Sequence, residues 1–301
     1  MTMNISRAAL VGFMVKLELK KYNMRSMSYA PGSAKGRTVL YLAPRNRGKS
    51  FLLRDTLYHL RDIPMGVVIS PTEAANEFFQ KFIPGILIYE EFAPEIIERF
   101  VERQKKITKQ YNDEVKKFGR TDIDPRAFIV FDDLMYSNKE WVNEKSVRYL
   151  FLNGRHTNCF VAVTSQQVMG IPPSLRTNLD NVFILRENIY TNRKKIYEQY
   201  AGMFPTLDVF MQVMDQLTQN FECMVIDNQS QGGNINETVF WYKAEAREFK
   251  MCSSELWQLQ AMEEERRALK MNNEDEEEEE EDYNPSFRKK NTAIVKVRKG
   301  P

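Results

Sequence analysis

Histidine and cysteine are scarce in this chain. Its 301 residues include two histidines, His59 and His156, and three cysteines, Cys159, Cys223 and Cys252, with no CxxC pair. A structural zinc centre draws four such ligands at close spacing, so none is expected. Thiols this far apart fit a reduced, intracellular setting. Long apolar runs are missing too. Nothing approaches the ~20 residues of a membrane-spanning helix. The N-terminal "AALVGFMV" is short, meets "KLELKK" at once and has no small-residue cleavage site. It reads as a first strand or helix of the domain rather than a signal peptide.

What is present suits a folded core. The chain is 43% hydrophobic and 12% aromatic, enough for one large domain or two small ones. The net charge of +2 hides an asymmetry. Residues 274–282, "EDEEEEEED", carry nine acids and no base, so the rest of the chain has a net charge of +11. That excess suits a polyanionic partner, but it is spread along the sequence.

Strand-like and helix-like runs alternate. "RTVLYLAP" (Arg37–Pro44), "GVVIS", "GILIYEE", "AFIVFDDLM" (Ala127–Met135), "CFVAVTSQQ" (Cys159–Gln167) and "NVFILRE" (Asn181–Glu187) are apolar strand candidates. Most carry apolar residues on both faces, which predicts a parallel sheet covered on both sides. Residues 94–117 have helical apolar spacing and predict one long amphipathic helix. "FECMVIDNQ" and "VFWYKAE" predict an antiparallel pair at the sheet edge, joined by a loop containing Gly232 and Gly233. The expected organisation is an N-terminal extension over 1–36, an α/β domain over 37–262, and an acidic then basic disordered tail over 263–301.

The chemistry centres on "LAPRNRGKSFLLRDTL". Gly48, Lys49 and Ser50 fit the end of the pattern G-x-x-x-x-G-K-[ST], while Ala43 stands where the first glycine belongs. Short GKS matches arise by chance, so context decides. A strand, "TVLYL", precedes the loop, a helical run follows it, and a second strand, "FIVFDD", ends in two acids. Backbone N–H groups of such a loop, at a helix N-terminus, surround a β-phosphate. The loop from Ala43 through Pro44, Arg45, Asn46, Arg47 and Gly48 would cradle the phosphates. Lys49 would reach the β/γ oxygens and the Ser50 hydroxyl would hold Mg²⁺. Alanine at the first position adds one methyl, and Asn46 tolerates left-handed backbone. Of the two acids, Asp132 would hold Mg²⁺ through water, and Asp133 would orient or deprotonate the attacking water. Two acids closing a strand can also be plain surface residues. That reading leaves their place at the carboxyl end of an apolar strand unexplained, and ligands of open parallel sheets bind at that end. Ser165, Gln166 and Gln167, at the tip of the next apolar run, could reach a γ-phosphate. Arg176, after Pro172 and Pro173, is either a surface residue or an arginine offered to a neighbour's phosphate.

The order of the loop, "FIVFDD", "GRHTNCFVAVTSQQ" and "IPPSLRTNLDNVFIL" resembles the genome-packaging ATPases of nucleocytoplasmic large DNA viruses, in the FtsK–HerA branch of P-loop ATPases. The resemblance spans about Arg37 to Glu245. It implies a RecA-like, additional-strand P-loop fold and a homo-oligomeric ring, pentameric or hexameric. Such a ring uses ATP and Mg²⁺ to drive double-stranded DNA into a capsid, with a portal or vertex protein as a further partner, at an assembly site in the host cytoplasm. By position, Lys49 and Ser50 match the Walker A pair, Asp132 the metal-associated acid, Asp133 the catalytic acid and Gln166 the sensor. Arg176 and Arg155 match the arginines such rings offer to an adjacent subunit. Ala43, and Arg47 at a position where small residues are common, depart from the pattern. A P-loop nucleoside or nucleotide kinase and a non-hydrolysing nucleotide binder are the alternatives that the residues alone leave open.

Overall fold

The strands that position the site are buried along their whole length. A computed structural model describes residues 17–134, 141–232 and 234–283, with side chains to residue 269. Every residue of β1 (Thr38–Leu42), β2 (Gly66–Ile69), β4 (Ala127–Phe131), β5 (Cys159–Ser165) and β6 (Asn181–Ile184) is buried. This is the mark of parallel strands covered on both faces. With β3 (Ile88–Tyr89), β7 (Glu222–Asp227) and β8 (Val239–Lys243) they form one eight-stranded sheet, in the order β3-β2-β4-β5-β1-β6-β7-β8. The first six pair in parallel, and β7 and β8 close the far edge antiparallel, as expected of two runs joined by a glycine-containing loop.

The helices follow the strands. They are α1 (Lys49–Tyr58), α2 (Glu73–Asn76), α3 (Pro94–Phe118), α4 (Lys145–Asn153), α5 (Pro173–Arg176), α6 (Tyr190–Tyr200), α7 (Leu207–Leu217) and α8 (Ile235–Thr238), the last lying in the β7–β8 connection. α3 begins with Pro94 at its first position and ends on Gly119, which is left-handed at φ 73°. It buries a face only as far as Thr108, through Ile97, Phe100, Val101, Gln104 and Thr108. Gln104 Nε2 donates to Pro125 O (2.8 Å) and Thr157 O (3.0 Å), tying α3 to the ends of two loops. The run "GILIYEE" is less of a strand than its composition suggests. Gly85–Leu87 is a 3₁₀ turn after Pro84, and only Ile88–Tyr89 pairs, at the edge of the sheet.

The segment before β1 belongs to the core. Tyr22, Met24, Met27 and Tyr29 are buried. Tyr22 N donates to Trp241 O (2.8 Å), and Tyr29 Oη donates to Asn158 O (3.0 Å). The run "AALVGFMV" lies outside the described residues.

The chain divides into two units, Met1–Ser253 and Ser254–Pro301. In the second, α9 (Ser254–Tyr283) runs through residue 263, where the composition changes. Glutamate and arginine are good helix formers, and Glu263 pairs with Arg266 (3.3 Å) and Arg267 (3.4 Å) along the helix. None of its described side chains is buried. The basic end, 284–301, lies outside the described residues.

Candidate nucleotide-binding site

Sheet register brings the site together at the carboxyl ends of β1, β4 and β5. Phe131, the last residue of β4, pairs with Val163, while β5 continues to Ser165 beside Leu42 of β1. The residues just past β4 therefore lie against Thr164, and the tip of β5 projects between the acids and the loop that follows β1.

That loop leaves β1 through Ala43, whose N donates to Ser165 O (3.1 Å). Its left-handed residues are Asn46 (φ 57°) and Gly48 (φ 90°), not Ala43. A methyl at the first position therefore meets no backbone penalty, which accounts for alanine there. Gly48 caps α1, so the positive end of the α1 dipole opens on the loop. Lys49 Nζ donates to Ala43 O (2.7 Å) and Pro44 O (3.1 Å), bridging the loop. Burial lowers the Lys49 pKa, Asp133 and Asp132 oppose that shift, and Arg45 adds to it. A cavity of about 410 Å³ is lined by Arg45 through Phe51 on one wall and by Asp132, Asp133, Thr164 and Gln166 on another.

The two carboxylates are held differently. Asp132 is 5% exposed. It is clamped by hydroxyls from both flanking strands: Thr164 Oγ1 donates to Oδ1 (2.7 Å) and Ser70 Oγ to Oδ2 (2.9 Å). Burial raises its pKa first of all, the two hydroxyl bonds oppose this, neighbouring Asp133 raises it further and Lys49 lowers it. Asp133 adopts φ 51°, an uncommon left-handed conformation for a carboxylate residue that turns the chain at the strand end. Its N donates to Thr164 Oγ1 (3.0 Å), and Gln166 Nε2 donates to its Oδ2. Its Oδ1 is buried without a hydrogen-bond partner among the described residues. Ser165 instead serves its own turn, donating to Gln167 O (2.9 Å) and accepting from Gln167 N (3.2 Å). At this strand tip it is Gln166 whose amide meets Asp133.

Thr164 and Ser70 escape a reading of the sequence. Each hydroxyl ends an apolar run, where a lone Thr or Ser usually satisfies backbone. Only the strand order shows that both face one carboxylate.

Arg176 corrects an expectation. The turn after Pro172 and Pro173 does not present it outward. Arg176 is 9% exposed, its Nη1 donates to Gln199 Oε1, and its guanidinium lies 5.7 Å from the Tyr200 ring centre. α6 supplies both partners, so the arginine is folded inward as a brace. Arg176→Ala should cost about 1–3 kcal/mol of stability through the lost charged hydrogen bond and cation–π contact. Thermal melting checks this, and the refolded variant should turn over nucleotide normally. Loss of turnover without a change in melting would return Arg176 to the site. Arg155, in contrast, is exposed. It lies in the turn Gly154–Thr157 before β5, at the opposite end of that strand from Gln166.

A larger cavity, of about 930 Å³, lies at the C-terminal end of α1 among Lys21, Arg25, Tyr58, Arg61 and Arg247. It lacks a phosphate loop, and Arg247 there is tied to Asp55 (3.2 Å) and Glu245 (2.7 Å). The smaller cavity is the one of the two that joins a helix N-terminus, a lysine and paired acids.

A loop between β1 and α1, acids after β4, and β5 inserted between those two strands define a P-loop NTPase fold of the RecA-like, additional-strand class. No family model matches the sequence. The uncharacterized protein L437 of Acanthamoeba polyphaga mimivirus is 35% identical over 240 residues, covering 80% of this chain and 82% of that one. The pCW3 conjugation coupling protein TcpA superimposes with a TM-score of 0.50 at 12% identity, over 75% of this chain and 69% of that one. The genome packaging NTPase B204 of Sulfolobus turreted icosahedral virus 2 does so with a TM-score of 0.49 at 12% identity, over 70% and 98%. The chain belongs to the same family as L437, a P-loop family carried by large DNA viruses, and it shares its fold with TcpA. Among the described residues no helix is long and apolar enough to cross a membrane.

Proposed function

We propose that this protein is an ATP-hydrolysing motor that drives double-stranded viral DNA into a capsid, working as a ring of identical subunits. The observation that carries the hydrolytic part is the pair of acids after β4. One is clamped by two hydroxyls, and the other keeps a buried carboxylate oxygen without a hydrogen-bond partner among the described residues. The DNA-moving part rests on the motif order "GRH", strand-tip glutamine and "PPSLRTN", together with family membership among large DNA viruses.

The geometry supports a division of labour. Loop amides from Asn46 to Ser50 and the Lys49 ammonium would bind the β- and γ-phosphates. The hard oxygen donors Ser50 and Asp132 fit Mg²⁺, which would neutralise charge on the phosphate oxygens when bound. Asp132 would do so through water, because its own oxygens already accept from Thr164 and Ser70. Asp133, one of whose oxygens accepts from Gln166, would take a proton from the attacking water. As water attacks the γ-phosphorus, the bond to the β–γ bridging oxygen breaks and ADP leaves. In a ring, the exposed Arg155 rather than Arg176 is the arginine free to approach a neighbour's phosphates. A capsid portal or vertex protein is the partner such a ring needs.

The test is hydrolysis with and without duplex DNA, on protein sized by mass. Duplex DNA should raise the rate of a homo-oligomer. ADP formation that depends on a small acceptor would instead make the chain a kinase. No hydrolysis in either case would make it a nucleotide-binding structural protein.

A further inference from the structure

Strand order also decides which way a nucleotide would run from the loop. β5, with Gln166 at its tip, lies on one side of β1, and β6 lies on the other. If the γ-phosphate faces Asp133 and Gln166, the α-phosphate, ribose and base must leave toward β6 and β7. Phe221 stands there. It directly precedes β7, and β7 runs antiparallel to β6 with Met224 opposite Ile184. The start of β7 therefore lies at the sheet edge where β6 ends and the phosphate loop begins.

Three observations single this residue out. Phe221 is 72% exposed. Its backbone is left-handed, at φ 62°, and follows left-handed Asn220 at φ 50°. It is also close to the loop: a Cβ placed on Gly48 would lie 3.6 Å from Phe221 Cδ1 and 3.7 Å from Leu185 Cδ2. A bulky residue in this conformation costs on the order of 1–3 kcal/mol. Burial does not offset that cost, because the ring faces solvent. A flat aromatic surface, held beside the phosphate loop on the side away from the acids, fits a planar ligand.

We propose that Phe221 is the stacking platform for the nucleobase, with Leu185 as the apolar floor beside it. The inference rests on the nucleotide reading of the loop. Stacking accepts any base face, so this platform supplies affinity for a nucleoside triphosphate over bare phosphate, without choosing among bases by hydrogen bonds.

The experiment compares two probes on the full chain, a non-hydrolysable ATP analogue and inorganic tripolyphosphate, both with Mg²⁺. Phe221→Ala should weaken the analogue about 5- to 150-fold, the range of one lost base–aromatic stack, and leave tripolyphosphate unchanged. Phe221→Trp should restore the analogue. Circular dichroism should show every variant folded, since the side chain is largely exposed. Equal affinity of Phe221→Ala and the parent for the analogue overturns the proposal. So does an equal loss for both probes, which would make Phe221 a support for the loop. Lys49→Ala reads the phosphate site separately. If it leaves tripolyphosphate binding intact, the nucleotide reading itself fails, and the platform falls with it.

Discussion

Lys49→Ala should abolish ATP hydrolysis and weaken nucleotide binding. The ammonium spans the loop carbonyls of Ala43 and Pro44 and faces the Asp132–Asp133 wall of the same cavity. Among the described residues it is the one lysine on that cavity. It is half-buried, and that burial lowers its pKa, so its charge acts where water screens it less than at the surface. Losing a single preorganised electrostatic donor from an active site costs about 100- to 1,000-fold in rate. Here the loss should exceed that range, because binding and the transition state both use the cation. Turnover by the purified, folded variant is the measurement. Turnover equal to the parent would place the site elsewhere.

Asp133→Asn should behave differently. Asp132, its two hydroxyl partners and the phosphate loop remain, so ATP should bind about as before. The asparagine carbonyl can still accept from Gln166, which keeps the strand tip in place. What disappears is the carboxylate oxygen that would accept a proton. Loss of a general base typically costs about 100- to 10,000-fold, so turnover should fall by that factor while the dissociation constant holds. The variant should accumulate in an ATP-bound form. A fall in affinity as large as the fall in rate would mean that the roles of the two acids are exchanged.

Much of this site is legible in the sequence because its strands are buried on both faces. "TVLYL", "AFIVF", "CFVAVTS" and "NVFI" are continuous apolar runs, and each is a strand. The loop and the acids follow such runs directly, so their place at the strand ends can be read locally. Strand order cannot, because it depends on contacts far apart in the chain. That is why Thr164 and Ser70, 94 residues apart, do not announce themselves as partners of one aspartate. Arg176 misleads for the same reason. Its prolines suggest an outward turn, while Gln199 and Tyr200, on a later helix, draw the side chain inward. The segment before β1 reads as an extension, and nothing local shows that Tyr22, Met24 and Met27 are buried in the core. Phe221 is hidden in "TQNFE", where nothing local marks a phenylalanine for a left-handed, exposed position.

The central claim is that hydrolysis at this loop moves duplex DNA. Displacement of a labelled third strand from a triplex carried on a long duplex reads that movement directly, since a protein travelling along the duplex strips the third strand off. Displacement should require ATP, scale with the length of duplex available for loading, and vanish both with a non-hydrolysable analogue and with Asp133→Asn. Hydrolysis that duplex DNA stimulates but that leaves the third strand in place would contradict the claim.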